Sequence, residues 1–146
     1  IHDIVRGSED SIVTASMFGE FFPNPGFSEQ TGIIEQWQAM AAEFSGTFIL
    51  VYMIFWLCLP KNESQLTPLY IGMTVAALIC LLAPISQGGF NPARDFGPRL
   101  FSYFAGWKGA AFPSPDLSFF TVYILSPLAG GALAFFAFYL TKKRGS

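Results

Sequence analysis

The stretch GGFNPARDFGPRL, residues 88–100, places polar groups directly behind a long apolar run that carries no charge. Asn91 can cap a helix through its side chain, and Pro92 suits the first helical turn. Arg94 adds a permanent cation and Asp95 an anion within the same turn. A helix that begins here would present unpaired N–H groups and a positive dipole end beside a guanidinium, and this arrangement repels cations and hydrated protons.

The residues before this helix predict an irregular backbone. Two glycines, Gly88 and Gly89, allow the chain to turn and to come close to a solute. The carbonyl groups from Gln87 to Phe90 can then accept hydrogen bonds from neutral hydroxyl groups. We also assign Ala93, where the predicted helix begins, to the pore lining.

The composition indicates that these residues lie in a membrane. The 146-residue chain is 52% hydrophobic and only 12% charged, and a soluble domain of this size needs a more charged surface. Its net charge of −2 excludes a basic field for nucleic acid. His2 is the only histidine, which argues against a histidine-based triad or zinc site. Cys58 and Cys80 lie inside apolar runs, where we expect small buried side chains rather than a disulfide or a metal site.

Three apolar segments are long enough to cross a bilayer as helices: 37–59, 68–86 and 118–140. Between the last two, the helix at about 91–104 would cover roughly half of the hydrocarbon thickness at about 1.5 Å per residue. We therefore predict an all-α membrane protein with a re-entrant half-helix. Irregular backbone persists at membrane depth only where it lines a cavity or is packed in protein. Together with the chemistry above, this favours a pore for small uncharged solutes.

The basic tail predicts the orientation of the chain. Lys142, Lys143 and Arg144 directly follow the last predicted span. Positively charged flanks stay on the cytoplasmic side, so we expect the C-terminus there. By alternation, the loop at 60–67 is also cytoplasmic, and the acidic N-terminal segment and the half-helix enter from outside.

At the level of motifs, GGFNPARDFGPRL resembles the second Asn-Pro-Ala signature of the aquaporin superfamily, the major intrinsic proteins. Asp95 and Arg99 resemble the aquaglyceroporin branch of that family. Other segments follow in family order at family spacing: TASMFGEFFPNP, AAEFSGTFIL, LFSYFAGW and SPLAGGALAFFAFYL. The resemblance covers nearly the whole chain but only the second of the family's two inverted repeats. We expect the first repeat to come from the same polypeptide or from a separate chain rather than from an inverted second copy, because the basic tail fixes one orientation.

The resemblance implies roles for individual residues. Asn91 would meet its counterpart from the first repeat at the pore centre. Arg94 would form the outer constriction together with Ile79 and Gly88. Glu43, the one charge inside the first span, would brace the re-entrant loop by accepting backbone N–H bonds. Asp95 would sit behind the constriction, bonded to loop backbone or to Arg99.

Two departures from the glycerol-facilitator pattern bear on selectivity. Ile79 and Gly88, with Arg94, resemble plant channels for boric acid and other neutral metalloid acids, as do Tyr123 and Ile124. Without an aromatic side chain at Gly88, the constriction should be wider and less selective for glycerol. The resemblance thus implies a passive channel for glycerol, urea, metalloid acids such as boric acid, and water, which excludes protons and ions.

The resemblance also implies a homotetramer in a plasma or inner membrane, surrounded by lipid and requiring no cofactor. Small residues at Ser126, Gly130 and Ala134 would permit close helix packing. The alternative that remains is a non-conducting half-channel, a structural subunit of a larger membrane assembly. An enzyme built on Arg94 and Asp95 is disfavoured because the chain offers no nucleophile–base pair beside them.

Overall fold

The structure, a computed structural model, describes residues 12–27, 34–112 and 117–144. Within these residues the chain forms helices and turns and no strand, which confirms the all-α prediction. The helices are α1 (Ile12–Ala15), α2 (Gln36–Leu57), α3 (Thr67–Ser86), α4 (Pro92–Ser102), α5 (Ser118–Phe120) and α6 (Ser126–Arg144). A π-helical turn, Tyr103–Trp107, and a 3₁₀ turn, Lys108–Ala111, follow α4, and a second π turn, Thr121–Leu125, joins α5 to α6.

Three helical stretches have the length and apolar composition to cross a bilayer: Gln36–Leu57, Thr67–Ser86 and Ser118–Lys143. The third contains α5, the π turn and most of α6. The chain covers little of their surface. In α3, only 11% of the residues in the most apolar stretch are buried. The remaining apolar surface therefore has to be covered by lipid or by other protein, as for any helix that is hydrophobic all round.

Local sequence signals explain where the long helices begin. Helix α2 starts with a capping box, in which the Glu35 side chain accepts from the backbone at Gln38 and the Gln38 side chain accepts from the Glu35 N–H at 2.8 Å. Helix α3 begins at Thr67 with Pro68 in its first turn, where a missing N–H costs nothing. It ends at Ser86, and the left-handed conformation of the following residue, Gln87 (φ 63°), stops the helix.

Close packing between α2 and α6 depends on small side chains. A Cβ atom on Gly130 would lie only 2.3 Å from the carbonyl oxygen of Phe44, so any larger residue would push the two helices apart. Ser126 and Ala134, one turn to either side, are also buried. This confirms the close helix packing that the spacing of these residues predicted.

Both cysteines are exposed on this chain, so the expectation that they would be buried is wrong. Cys58 follows the last turn of α2, and Cys80 lies on α3, which buries few of its side chains. The apolar runs around them reflect helices that face lipid or other protein rather than the chain's own core.

The N-terminal segment, residues 12–27, lies across the end of α4. The indole N–H of Trp107 donates to the Thr14 hydroxyl at 2.8 Å. The ring of Phe18 packs 5.0 Å from the Trp107 ring and 5.9 Å from the Phe101 ring, measured between centroids. These contacts hold the segment, including Glu20, against the half-helix.

Candidate functional site

The turn between α3 and α4, residues 87–90, has an unusual backbone. Gln87 (φ 63°), Gly88 (φ 72°) and Phe90 (φ 52°) all lie in the left-handed region. Glycine adopts this conformation readily, but a bulky residue such as phenylalanine does so only when its surroundings require it. Two features of α2, Glu43 and Gly46, impose the conformation here.

Glu43 holds the turn through its carboxylate. One oxygen accepts from the Ser86 hydroxyl at 2.7 Å and from the Gly89 N–H at 2.9 Å, and the other accepts from the Phe90 N–H at 2.6 Å. The side chain is completely buried. A buried carboxylate is tolerated when hydrogen-bond donors surround it, and two of these donors belong to the turn itself. Glu43 is therefore placed to accept the backbone N–H bonds that the resemblance implied.

Gly46, one turn further along α2, makes room for the Phe90 ring. A Cβ atom on Gly46 would lie 2.1 Å from a ring carbon of Phe90, closer than any real contact. The Phe90 carbonyl accepts from the Thr47 hydroxyl at 3.3 Å. Phe90 thus directs its ring into α2, and its N–H and carbonyl also bond to side chains of α2.

The other residues of the turn are packed among polar groups. The position of a Cβ atom on Gly89 is 3.2 Å from Glu20, 3.3 Å from Glu43 and 3.4 Å from Tyr123. The Gln87 side chain accepts from the Phe21 N–H at 2.5 Å, so it bonds to the N-terminal segment. Gly89 therefore permits a close approach that a larger residue would prevent.

Helix α4 begins as the Asn-Pro pair predicted. The amide oxygen of Asn91 accepts from the Ala93 N–H at 2.9 Å, and Pro92 occupies the first helical position. The amide NH₂ group of Asn91 is then the part of the side chain that can donate to another molecule. Asn91, Ala93 and Arg94 are all exposed on this chain, so the start of α4 presents one polar surface.

Ile79 lies next to the turn. Its Cγ1 atom is 3.6 Å from the position that a Cβ atom on Gly88 would occupy. Ile79 is half-buried, whereas Gly88 is buried. The structure thus brings together two of the three residues that the resemblance assigned to a constriction.

Arg94 is paired with Glu20, a residue that the sequence analysis did not assign. Nη2 of Arg94 donates to the Glu20 carboxylate. The Arg94 side chain is 45% exposed and that of Glu20 only 13%, so the anion is packed in protein while the cation stays accessible. The sequence signal was an acidic residue flanked by apolar ones in MFGEFF.

A buried ion pair fixes the backbone of Glu20. Arg99 and Asp95 form a two-point contact, with Nε to Oδ2 at 3.1 Å and Nη2 to Oδ1 at 2.7 Å. Oδ1 of Asp95 also accepts the Glu20 N–H at 2.7 Å, and Nη2 of Arg99 donates to the Glu20 carbonyl. Both charged side chains are buried, and planar two-point pairing of this kind is specific as well as strong.

Aromatic rings and one carbonyl complete the surroundings of Arg99. Nη1 donates to the Ala111 carbonyl at 2.7 Å. The guanidinium carbon lies 4.6 Å from the centroid of Phe21, the nearest of four rings; the others belong to Phe112, Phe119 and Tyr123. Rings around a guanidinium attract it through their negative faces. Arg99 is therefore a structural centre that joins the N-terminal segment, α4 and the third span.

Burial raises the pKa of Glu20 from 4.5 to about 7. The positive charge of Arg94 opposes this increase, while the negative charges of Asp95 and Glu43 add to it. Desolvation of the carboxylate outweighs the attraction of a guanidinium that is itself half in solvent. Glu20 is thus poised to change its charge near neutral pH.

Tyr123 and Asn24 also hold the end of α3 and were not predicted to do so. The Tyr123 hydroxyl donates to the Ser86 carbonyl at 3.1 Å, and the Asn24 amide donates to the Ala83 carbonyl at 2.7 Å. The carbonyl groups in the last turn of a helix are short of intrahelical donors, so they can accept bonds from other segments. Polar side chains from two other segments therefore satisfy carbonyl groups near the helix end.

The site thus consists of a capped helix start after a left-handed turn, an exposed arginine beside it and a buried glutamate behind it. Residues 11–138 match the family model described as major intrinsic protein. The chain belongs to the major intrinsic protein family. Its three apolar helices are the spans of an integral, multi-pass membrane protein of that family, which confirms the resemblance to the aquaporin superfamily.

Several major intrinsic proteins resemble this chain along most of its length. A glycerol uptake facilitator protein of Shigella flexneri is 37% identical over 141 residues, covering 94% of this chain and 47% of the relative. The corresponding protein of Escherichia coli K12 is 36% identical over the same shares. A propanediol uptake facilitator, PduF, of Citrobacter freundii is 37% identical over 133 residues, covering 88% of this chain and 46% of the relative. The chain spans about half the length of the curated relatives it matches.

Proposed function

We propose that this chain forms one half of a passive channel that conducts small uncharged solutes and excludes protons and ions. The observation that carries the proposal is the exposed polar start of α4, Asn91 to Arg94, reached by a backbone that breaks between two membrane-spanning helices. The relatives' names, glycerol and propanediol uptake facilitators, support a pore for small neutral solutes.

The geometry of α4 supports exclusion of cations. Its 11 residues measure about 16 Å, roughly half of the hydrocarbon thickness. A helix of this length that starts at membrane depth presents its positive dipole end and free N–H groups there. Arg94 adds a guanidinium to the same exposed surface, with Glu20 as its partner on the protein side. We propose that these charges repel protons and metal cations, while Asn91 donates to a passing hydroxyl group.

The proposed constriction is formed by Ile79, Gly88 and Arg94, with the backbone of Gln87, Gly89 and Phe90 and the small Ala93 along the passage. Gly88 combines a φ of 72° with a Cβ position 3.3 Å from the Phe90 ring, so the backbone favours glycine there. A glycine contributes no side chain to the passage. The absence of a ring at this position supports a pore that accepts glycerol, urea, boric acid and water.

The remaining wall of the pore would come from a first repeat. The three spans leave most of their apolar surface uncovered, and α3 is the least covered. We propose that a first repeat packs on these surfaces and contributes a second Asn-Pro-Ala half-helix, and that four complete channels form a homotetramer. We propose that the C-terminus lies in the cytoplasm and that the channel spans a plasma or inner membrane; the basic residues Lys142 and Lys143 at the end of α6 support this orientation.

Stopped-flow light scattering on proteoliposomes tests this function. The protein is reconstituted with its first repeat, whether that repeat is on the same polypeptide or supplied as a separate chain. We expect glycerol and boric acid to cross at least about tenfold faster than through protein-free liposomes, a barrier lowered by about 1.4 kcal/mol. A subunit that serves only as a scaffold would give no solute flux above the lipid background, and that result would reject the channel.

A further inference from the structure

We propose that Glu20 is a specificity-determining residue of this pore, which holds the guanidinium of Arg94 to one side of the passage. The inference rests on the proposed channel function and deepens it. Glu20 lies in the N-terminal segment, outside the three spans, and reaches Arg94 across 74 positions of sequence. Through this contact it sets how many N–H groups of Arg94 a solute can meet.

The backbone of Glu20 is held by hydrogen bonds on both of its polar groups. Its N–H donates to Asp95 at 2.7 Å and its carbonyl accepts from Arg99, so both backbone polar groups are held. Asp95 and Arg99 are buried and paired with each other. The backbone is therefore held in place, and only 13% of the Glu20 side chain is exposed, so its carboxylate is an anchored partner for Arg94 rather than a mobile surface charge.

Among the charged groups near the Glu20 carboxylate, only Arg94 bonds to it in the part of the chain that the structure describes. Asp95, on α4, is already bonded to Arg99 and to the Glu20 N–H. Glu43, on α2, accepts three bonds from Ser86 and the turn. Both are anions and cannot attract the Glu20 carboxylate. Arg99 bonds to the Glu20 backbone and not to its side chain.

The protonation state of Glu20 therefore controls how firmly Arg94 is held. Ionised Glu20 and Arg94 form an ion pair, in which Coulomb attraction between two opposite charges adds to the hydrogen bond. Protonated Glu20 loses this attraction, and the half-exposed Arg94 side chain can then swing into the passage. Because the pKa of Glu20 is raised to about 7, the two states exchange in the neutral range.

Release of Arg94 should affect large solutes more than water. A guanidinium in the passage narrows it, and its additional N–H groups bind hydroxyl groups of a polyol more tightly. We infer that glycerol flux falls when Glu20 is neutral, while water flux changes little. Protonated wild-type channels and a Glu20→Gln variant should share this behaviour.

The experiment measures the ratio of glycerol to water permeability in the reconstituted proteoliposomes at two pH values. One is about pH 5.5, below the pKa of Glu20, and the other is about pH 8.5, above it. For the wild type we expect the ratio to be at least about threefold higher at the alkaline pH. Glu20→Gln should show the low ratio at both pH values. Glu63→Gln removes the same charge from the exposed loop before α3 and should retain the wild-type profile.

A second variant shows whether Glu20 acts through Arg94. In an Arg94→Val background, Glu20→Gln should change the permeability ratio no further, because the two residues would form one unit. If Glu20→Gln follows the wild-type pH profile, or has its full effect without Arg94, the inference is overturned while the channel stands. Loss of all flux from the wild type would instead overturn the channel function itself.

Discussion

The carboxylate of Glu43 accepts a 2.6 Å hydrogen bond from the backbone N–H of Phe90, which joins the middle of α2 to the turn before α4. The bond is one of three that Glu43 accepts, and all three donors lie on the last residue of α3 or in the turn. A membrane interior offers no water to replace these bonds. The position of the half-helix therefore depends on one side chain from a neighbouring span.

Glu43→Gln should destabilise the protein and reduce solute flux. Glutamine has the shape of glutamate, but one of its carboxylate oxygens is replaced by an NH₂ group, which cannot accept a bond from an N–H. At least one of the backbone N–H groups of Gly89 and Phe90 then loses its acceptor, at a cost of about 1–3 kcal/mol. Thermal unfolding in detergent micelles measures the loss, with Glu63→Gln as the control because Glu63 is exposed. Equal unfolding temperatures for the two variants would show that Glu43 does not hold the turn.

Gly46→Ala should displace the Phe90 ring. The added methyl group would lie 2.1 Å from a ring carbon, and overpacking of this kind typically costs about 1–3 kcal/mol. Gly72→Ala is the matched control, since a Cβ atom there meets nothing within 4 Å. We expect the first substitution to lower the unfolding temperature and the second to leave it unchanged or raise it. If both behave alike, the Phe90 ring is not confined by α2.

Arg99→Lys should weaken the contact between the N-terminal segment and α4. Lysine keeps the charge but cannot reproduce the two-point bond to Asp95 together with the bonds to Glu20 and Ala111. A loss of about 1–3 kcal/mol follows from the broken hydrogen bonds. Arg99→Met should cost more, because it leaves the buried Asp95 without its cation. Similar unfolding temperatures for the two variants would contradict a role for the charge.

How much of this arrangement the sequence could predict depends on how local each contact is. The three apolar runs predicted the spans because a bilayer sets their length. Asn91 and Pro92 predicted the start of α4 because a helix cap involves neighbouring residues. The left-handed backbone of Phe90 could not be predicted, since a bulky side chain ordinarily disfavours it. It is imposed by Glu43 and Gly46, more than forty positions earlier.

The partner of Arg94 could not be predicted from the sequence either, because this contact is also between distant residues. Glu20 and Arg94 are 74 positions apart, and neither composition nor periodicity encodes such a distance. Asp95 was expected to bond either loop backbone or Arg99, and in the structure it bonds both. Only the folded N-terminal segment shows that one backbone position, that of Glu20, receives both contacts.

Arg94→Val should raise proton or cation leak and loosen solute selectivity without disturbing the fold. The Arg94 side chain is 45% exposed, so its removal takes little packing from the interior of the protein. A pH-sensitive dye inside proteoliposomes reports the leak, and thermal unfolding checks the fold. Unchanged proton exclusion in a folded variant would show that Arg94 is not part of the barrier.

Glu20 should also make stability depend on pH. Its pKa is about 7 in the folded protein, compared with 4.5 for an ordinary glutamate in an unfolded chain. Between pH 4.5 and about pH 7, the folded state therefore holds a proton that the unfolded state has released. The contribution of Glu20 to stability is therefore fully present below about pH 4.5 and is lost as the pH rises through about 7. Glu20→Gln has no such proton to hold. As the pH rises from about 4.5 to above 7, the unfolding temperature of the wild type should fall relative to that of Glu20→Gln. The unfolding temperature of Glu63→Gln should follow that of the wild type at every pH. A constant difference would mean that the Glu20 carboxylate titrates in the folded protein as it does in the unfolded chain, and that desolvation does not govern its charge.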